Sequence, residues 1–347
     1  MSKCTSLFVF LITWLALGQP LALLAQSPLK TKERIKQVET GLVPPIRFTG
    51  DSLWNLRERM KHYRVPGMSI AVIENFKIVW VKSYGVKDLE SKEPVTGQTL
   101  FQAASISKPL SAYAALREVE KGKIALEEDI NHYLTSWHLA ENEFTKANKV
   151  TLKYLLSHRA GVTVQGFSGY ATDEKVPTLL QVLNGEPPAN SASVQVDQLP
   201  GSGFRYAGGG YCIVQQLLTD TQKKPFPAVM EALVLNPLGM TNSTFAQPLP
   251  ESTLRLAASG YLPDGTAVPG KSHTYPELAA SGLWTTAEDL ARFVIDLELS
   301  LKGKSNKVLS RDLANQMLTP FGEAHTGLGM FLDPKEEDVY FQHAGRN

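Results

Sequence analysis

Strand-like runs stand near both ends of this chain with a long helical block between them, and that order limits the folds open to it. Residues 68–74 (MSIAVIE) and 77–86 (KIVWVKSYGV) are β-branched and apolar, with only Asn75 and Phe76 separating them. They read as an antiparallel hairpin. Residues 327–332 (GLGMFL) and 339–342 (VYFQ) have the same character. A helix over 51–63, with Leu53, Trp54, Leu56 and Met60 on its apolar side, precedes the first hairpin. From about 106 to 235 the pattern is helical: a start at 150–157 with Thr151 as N-cap, a short run at 179–183, and helices at 211–219 and 226–235. Thr286 and Asp289 resemble a capping box opening a helix over Ala287–Leu301. A helical block inserted into an antiparallel sheet predicts an α+β fold with its site in the cleft between the two parts. The sheet part would comprise 51–105 and 281–347, and the helical part about 106–280.

The segment joining the two parts, residues 101–121 (FQAASISKPLSAYAALREVEK), reads as a turn running straight into a helix. Ser105 and Lys108 are three residues apart and share a helix face. A serine hydroxyl is a poor nucleophile until a base takes its proton. A lysine amine can be that base if burial or nearby charge lowers its pKa. The helix N-terminus would add N–H groups and a positive dipole end for an oxyanion. The same spacing also suits an ordinary N-cap serine beside a solvated lysine. The pair recurs at Ser27 and Lys30, where Pro28 and the preceding apolar leader mark a coincidence.

That leader is residues 1–25. Lys3 supplies a positive start, residues 7–18 (LFVFLITWLALG) an apolar core, and Ala22 to Ala25 small residues before Gln26. The pattern is that of a secretory signal peptide cleaved after Ala25, which predicts a periplasmic or secreted protein; an uncleaved anchor is the alternative. The apolar run is short for a full membrane span. Residues 26–50 then read as a charged linker. The mature chain keeps one cysteine, Cys212, so it has no internal disulfide. Net charge is +1 and the only charge among the first 25 residues is Lys3, so the rest is neutral. Nothing in that balance suggests nucleic acid.

Two further stretches can complete a site with Ser105 and Lys108. In residues 203–210 (GFRYAGGG), Tyr206 lies in a glycine-dense stretch before a helix, where a substrate could approach the backbone closely. A phenol near a cationic lysine can ionise more readily and take part in proton transfer; a buried structural tyrosine is the other reading. In residues 341–347 (FQHAGRN), His343 stands at a strand end and could offer a donor or titrating group to a carboxylate or oxyanion. There is no G-x-S-x-G elbow, since Gly166, Phe167, Ser168 and Gly169 miss it by one residue. There is no H-E-x-x-H, Walker loop or G-x-G-x-x-G, and the seven histidines are scattered, which argues against a metal centre.

Together the three stretches resemble the three motifs of the serine β-lactamase and penicillin-binding-protein superfamily. The chain is most similar to its class C β-lactamase, esterase and D-peptidase branch. PGMSIAVIENFKIVWVKSYG, LFQAASISKPLSA, VTLKYLLSHRAGV, VLNPLGMTNSTF and AASGLWTTAEDLARF carry the likeness in order, over 51–347. The resemblance implies that Ser105 is acylated, that Lys108 shuttles its proton, and that Tyr206 serves the leaving group and then the deacylating water. It implies that His343 fills the third motif, that Gly345 leaves room for the substrate backbone, and that the N–H groups of Ser105 and Arg346 form the oxyanion hole. The substrate would be a small ester, amide or β-lactam, with no metal or organic cofactor.

Two departures bear on this. The second motif of the family ends in Asn, and Gly208 stands in that substrate-facing position, which favours esterase or peptidase chemistry over a true β-lactamase. The family fold also continues with further strands and a C-terminal helix beyond the third motif, so the chain ending at Asn347 is expected to be a truncated member. A non-catalytic pseudo-enzyme or inactive fragment is the remaining alternative.

Overall fold

The computed structural model describes residues 28–322, 325–335 and 338–347. The signal peptide expected at 1–25 lies outside them. The chain divides into two compact units, Met1–Leu56 and Arg57–Asn347. In the first, the stretch expected to be a linker carries helix α1 (Pro28–Thr40). Leu42 and Trp54 then pair as an antiparallel bridge, with N–H···O distances of 3.1 and 2.8 Å. That extended pairing explains why helix α2 covers only Leu56–His62 and not 51–63, and why Leu53 is exposed.

The second unit opens with the expected hairpin, β1 (Gly67–Glu74) and β2 (Lys77–Gly85), antiparallel from Gly67 opposite Gly85 to Glu74 opposite Lys77. Asn75 and Phe76 have φ of 52° and 59°. Two positive φ values make a turn whose twist matches the strands it joins. After β3 (Phe101–Gln102) come the helices α3 (Ser107–Glu120), α4 (Glu143–Ala147), α5 (Leu152–Leu156), α6 (Leu179–Asn184), α7 (Gly208–Gln222), α8 (Phe226–Met230), α9 (Asn236–Leu238), α10 (Glu251–Leu254) and α11 (Leu278–Ser281). The chain returns through β4 (Trp284–Thr285), α12 (Ala287–Leu301), α13 (Arg311–Met317), β5 (Phe331–Lys335) and β6 (Asp338–Gln342).

The fold is mixed and antiparallel, as expected, but the described strands form three two-stranded ladders in place of one sheet: β1–β2, β3–β4 and β5–β6. β3 and β4 contribute only two residue pairs. Pro334 removes a ladder donor from β5. The run 327–332 is a strand only from Phe331. Ahead of it Gly329 has φ of 92°, and a Cβ there would lie 2.6 Å from the Ala112 Cβ. β6 pairs with β5 along its length, so one edge of the His343 strand is covered.

The core lies between α3 and α7, whose Leu110, Tyr113, Leu116, Tyr211, Val214 and Leu217 are all wholly buried. Thr151 caps α5 and Thr286 caps α12, as their spacing predicted. The capping box at α12 is half formed. Thr286 accepts from the Asp289 N–H, but the Asp289 carboxylate accepts instead from the Asn242 N–H and the Ser243 hydroxyl, both at 2.8 Å.

Candidate active site

Ser105 stands in a single 3-10 turn, Ala104–Ile106, that runs into α3. Ala104 has φ of 48°, a left-handed conformation costly for any residue with a Cβ. Three hydrogen bonds hold it. The Ala103 N–H donates to the Leu283 carbonyl at 2.9 Å, the Ser107 hydroxyl donates to the Ala104 carbonyl at 2.6 Å, and the same hydroxyl accepts from the Leu283 N–H at 2.9 Å. The strained turn is thereby fixed to the chain entering β4, and Ser105 is left facing a cleft of about 570 Å³. Tyr206, Phe331, His343, Gly345 and Arg346 line the same cleft.

Lys108 is 1% exposed, and its ammonium donates to the Ser105 Oγ at 3.0 Å and to the Ala280 carbonyl at 2.9 Å. No carboxylate pairs with it among the described residues. Desolvation therefore acts almost unopposed and pulls the amine down to about 7. An ordinary solvated lysine would not show this burial or this contact.

Tyr206 comes to the same place from the far side. Its ring lies below the Lys108 Nζ, 5.0 Å from ring centre to nitrogen, and stacks with Phe331 at 6.2 Å and 16°. The lysine thus meets the face of the ring, a cation–π contact. Burial raises the phenol's pKa, with the Ser105 hydroxyl acting in the opposite sense. Burial thus works against the ionisation that a nearby cationic lysine would favour.

His343 follows β6, its ring 6.5 Å from that of Tyr206. Its Nδ1 lies 2.7 Å from the Ala344 carbonyl, so Nδ1 carries the proton and Nε2 is left as an acceptor. That Nε2 is buried and has no hydrogen-bond partner among the described residues. Burial lowers the imidazole to about 4. Burial therefore holds the His343 imidazole neutral, with Nδ1 on the Ala344 carbonyl.

The glycines behave differently from expectation. Gly208, Gly209 and Gly210 form the first turn of α7 rather than a loop. A Cβ on Gly208 would meet the Phe167 ring at 3.0 Å and the Gln165 carbonyl at 3.1 Å. A side chain at this position would therefore need the Phe167 ring or the Gln165 backbone to shift. Gly345 admits a close crossing of two backbones, since a Cβ there would lie 2.2 Å from the Ala103 carbonyl. It thus sets the height of the final segment over the Ser105 turn.

Residues that the sequence did not single out surround this group. Phe331 stacks on Tyr206. His158, just after α5, packs its ring 4.3 Å from the Tyr206 ring. Glu277 is wholly buried, and neither carboxylate oxygen has a hydrogen-bond partner among the described residues. Burial raises it to about 7. It precedes α11, the turn that supplies the Ala280 carbonyl to Lys108. A lone aromatic, histidine or glutamate carries no spacing signal, so only proximity in space reveals them. No cluster of three or more His, Cys, Asp or Glu side chains that could hold a metal ion occurs among the described residues, and no helix there is long and apolar enough to cross a membrane.

Comparison with known proteins gives the frame for this geometry. The profile of the family described as Beta-lactamase matches residues 55–347. The "Protein flp" of Staphylococcus aureus (strain N315) is 25% identical over 314 residues, which is 86% of this chain and 59% of that protein. The chain thus spans under two thirds of such curated relatives. The esterase EstB of Burkholderia gladioli is 29% identical over 207 residues, covering 56% of this chain and 50% of that one. Among solved structures, the octameric penicillin-binding protein homologue from Pyrococcus abyssi superposes with a TM-score of 0.67 at 23% identity, covering 84% of this chain and 66% of that one. EstCE1, a hydrolase with promiscuous acyltransferase activity, gives 0.65 at 20%, covering 87% and 82%. The D-alanine carboxypeptidase AmpC from Burkholderia cenocepacia gives 0.63 at 24%, covering 82% and 73%. At these identities the structural matches establish the fold.

Proposed function

The chain belongs to the Beta-lactamase family, and from that premise we propose that it is a serine hydrolase cleaving a small ester or amide through an acyl-enzyme on Ser105. The observation that carries this reading is the buried Lys108 amine, 3.0 Å from the Ser105 Oγ and lowered to about 7. Near neutral pH a large share of such an amine is unprotonated and able to take the serine proton.

In the first step the Ser105 Oγ bonds to the substrate carbonyl carbon while its proton passes to the Lys108 Nζ. The backbone N–H groups of Ser105 and Arg346 stabilise the oxyanion. The bond to the leaving group breaks, and that group takes a proton through the Tyr206 hydroxyl. Water then attacks the acyl carbon, its proton passes through Tyr206 and Lys108 to the Ser105 Oγ, and the Ser105 ester bond breaks to free the acid and restore the serine hydroxyl. A neutral phenol suits this relay, since it accepts one proton as it gives another.

His343 tunes the substrate. Being neutral, it lacks the positive charge that a lysine would bring to a carboxylate, and this favours an uncharged ester. The name of the relative EstB, an esterase, agrees with that preference. His343→Lys is expected to raise kcat/KM for a carboxylate-bearing peptide relative to a neutral aryl ester. An unchanged ratio would remove His343 from substrate selection. We also assign export to this protein, on the leader sequence of residues 1–25. N-terminal sequencing of the mature protein is expected to begin at Gln26.

The central test is mass spectrometry of tryptic peptides after treatment of the folded protein with a fluorophosphonate, and in parallel with a penicillin. An adduct on Ser105 that does not form in protein denatured before treatment or in Lys108→Ala supports the acyl-enzyme. Penicillin labelling together with nitrocefin turnover would move the substrate class to β-lactams. A folded protein that takes neither reagent would leave a non-catalytic family member.

A further inference from the structure

We propose that His158 is the positioning residue for Tyr206, clamping the chain on both sides of the tyrosine and packing against its ring. This inference rests on the role given to Tyr206 above. The Ala207 N–H donates to the His158 Nδ1 at 3.1 Å, and the Arg205 N–H donates to the His158 carbonyl at 2.8 Å. One residue therefore holds the backbone immediately before and immediately after Tyr206. The imidazole also packs against the phenol ring, with centroids 4.3 Å apart and planes 33° apart.

Three features suit His158 to this task. It is 5% exposed, so water does not compete for its Nδ1. Its neighbours keep it neutral: burial and the positive charge of Lys108 lower its pKa well below 6.5, and His343 acts in the same direction. Protonation would place a hydrogen on the Nδ1 that must accept from Ala207. Its backbone is left-handed, with φ of 58°. That conformation turns the chain sharply after α5 and brings carbonyl and ring nitrogen to one side. A β-carbon makes the conformation costly, which only a contact network of this kind offsets. The surrounding segment is tied down in the same way, with the Gly208 N–H on the Gln165 carbonyl at 3.0 Å and the Gly201 N–H on the Arg159 carbonyl at 2.7 Å.

The left-handed backbone also supplies the test, because glycine and asparagine both tolerate it. Asparagine places Oδ1 at the same remove from Cα as Nδ1 and keeps the acceptor for Ala207. Glycine removes it. With p-nitrophenyl acetate, His158→Gly is expected to lower kcat by about 10- to 100-fold with little change in KM, the scale of a misplaced catalytic group. His158→Asn is expected to recover most of that loss. In a Tyr206→Phe background the His158→Gly loss should shrink to within about threefold, since residues acting as one unit are not additive.

A second readout needs no turnover. With 3-fluorotyrosine at position 206, the fluorine NMR line is expected to be single and sharp in the wild type and in His158→Asn, and broadened or split in His158→Gly. Equal losses in the glycine and asparagine variants, an undiminished loss in the Tyr206→Phe background, or an unchanged fluorine line in a folded His158→Gly would each overturn the proposal. Failure of the acyl-enzyme reading looks different: Ser105 takes no fluorophosphonate in the wild type, and the fluorine spectra still decide whether His158 holds the ring.

Discussion

Lys108 stands in an environment opposed to what its side chain prefers. Burying an ammonium without a counter-charge is costly, and the amine responds by titrating near 7. Two consequences of opposite kind follow. If the neutral amine activates Ser105, kcat/KM for a neutral ester should rise with pH and level off above about 7, the limb reporting the free enzyme. A profile that is flat between pH 5 and 9 would count against Lys108 as the base. On the stability side the folded pKa is depressed below the ordinary 10.5. The unfolded chain binds the proton more tightly, so the penalty is full below about 7 and is relieved as pH rises from there towards 10.5. Lys108→Met is accordingly expected to raise the unfolding midpoint at pH 6 while abolishing activity, a trade seen where a site stores unfavourable burial.

The site depends equally on how short elements are tied to one another. β3 and β4 are two residues each, yet they bring Ala103 against Leu283 and so set the strained turn under Ser105. Above that turn, the segment after β6 passes so close that only glycine fits at 345. Gly345→Ala would force the segment to rise from the Ala103 carbonyl and would carry the Arg346 N–H with it. We expect a fall of about 10- to 100-fold in the rate of fluorophosphonate labelling, since displacements near 1 Å are felt on that scale. A labelling rate equal to wild type would show that the last segment is not part of the oxyanion hole. By contrast, Thr286→Ala removes the N-cap of α12 and none of the hydrogen bonds that hold the Ser105 turn. It should cost about 1 kcal/mol of stability and leave labelling unchanged.

At the scale of the whole molecule, Glu277 makes stability depend on pH in the acid range. Its folded carboxyl titrates near 7 against an ordinary 4.5. Below 4.5 both states are protonated and the group has no effect. Between 4.5 and 7 the unfolded chain ionises first, so stability falls as pH rises, by roughly 3 kcal/mol in all. Glu277→Gln should flatten that slope in denaturant unfolding between pH 4.5 and 7. An unchanged slope would mean that the buried carboxyl has a partner in solution. Read locally, the sequence determined much of this protein. Alternating apolar runs at 68–74 and 77–86 specify a hairpin, Thr151 and Thr286 specify helix starts, and a three-residue spacing puts Lys108 on the side of Ser105, because each depends on neighbours along the chain. What needed the tertiary structure was everything set by burial and by distant approach. The same patterns do not say that three separate ladders form where one sheet was expected, that Gly208 faces Phe167, or that burial holds His343 neutral. Nor do they say that His158 grips both flanks of Tyr206. Those outcomes turn on which groups lose water and which backbones cross, and residues far apart in the chain decide both.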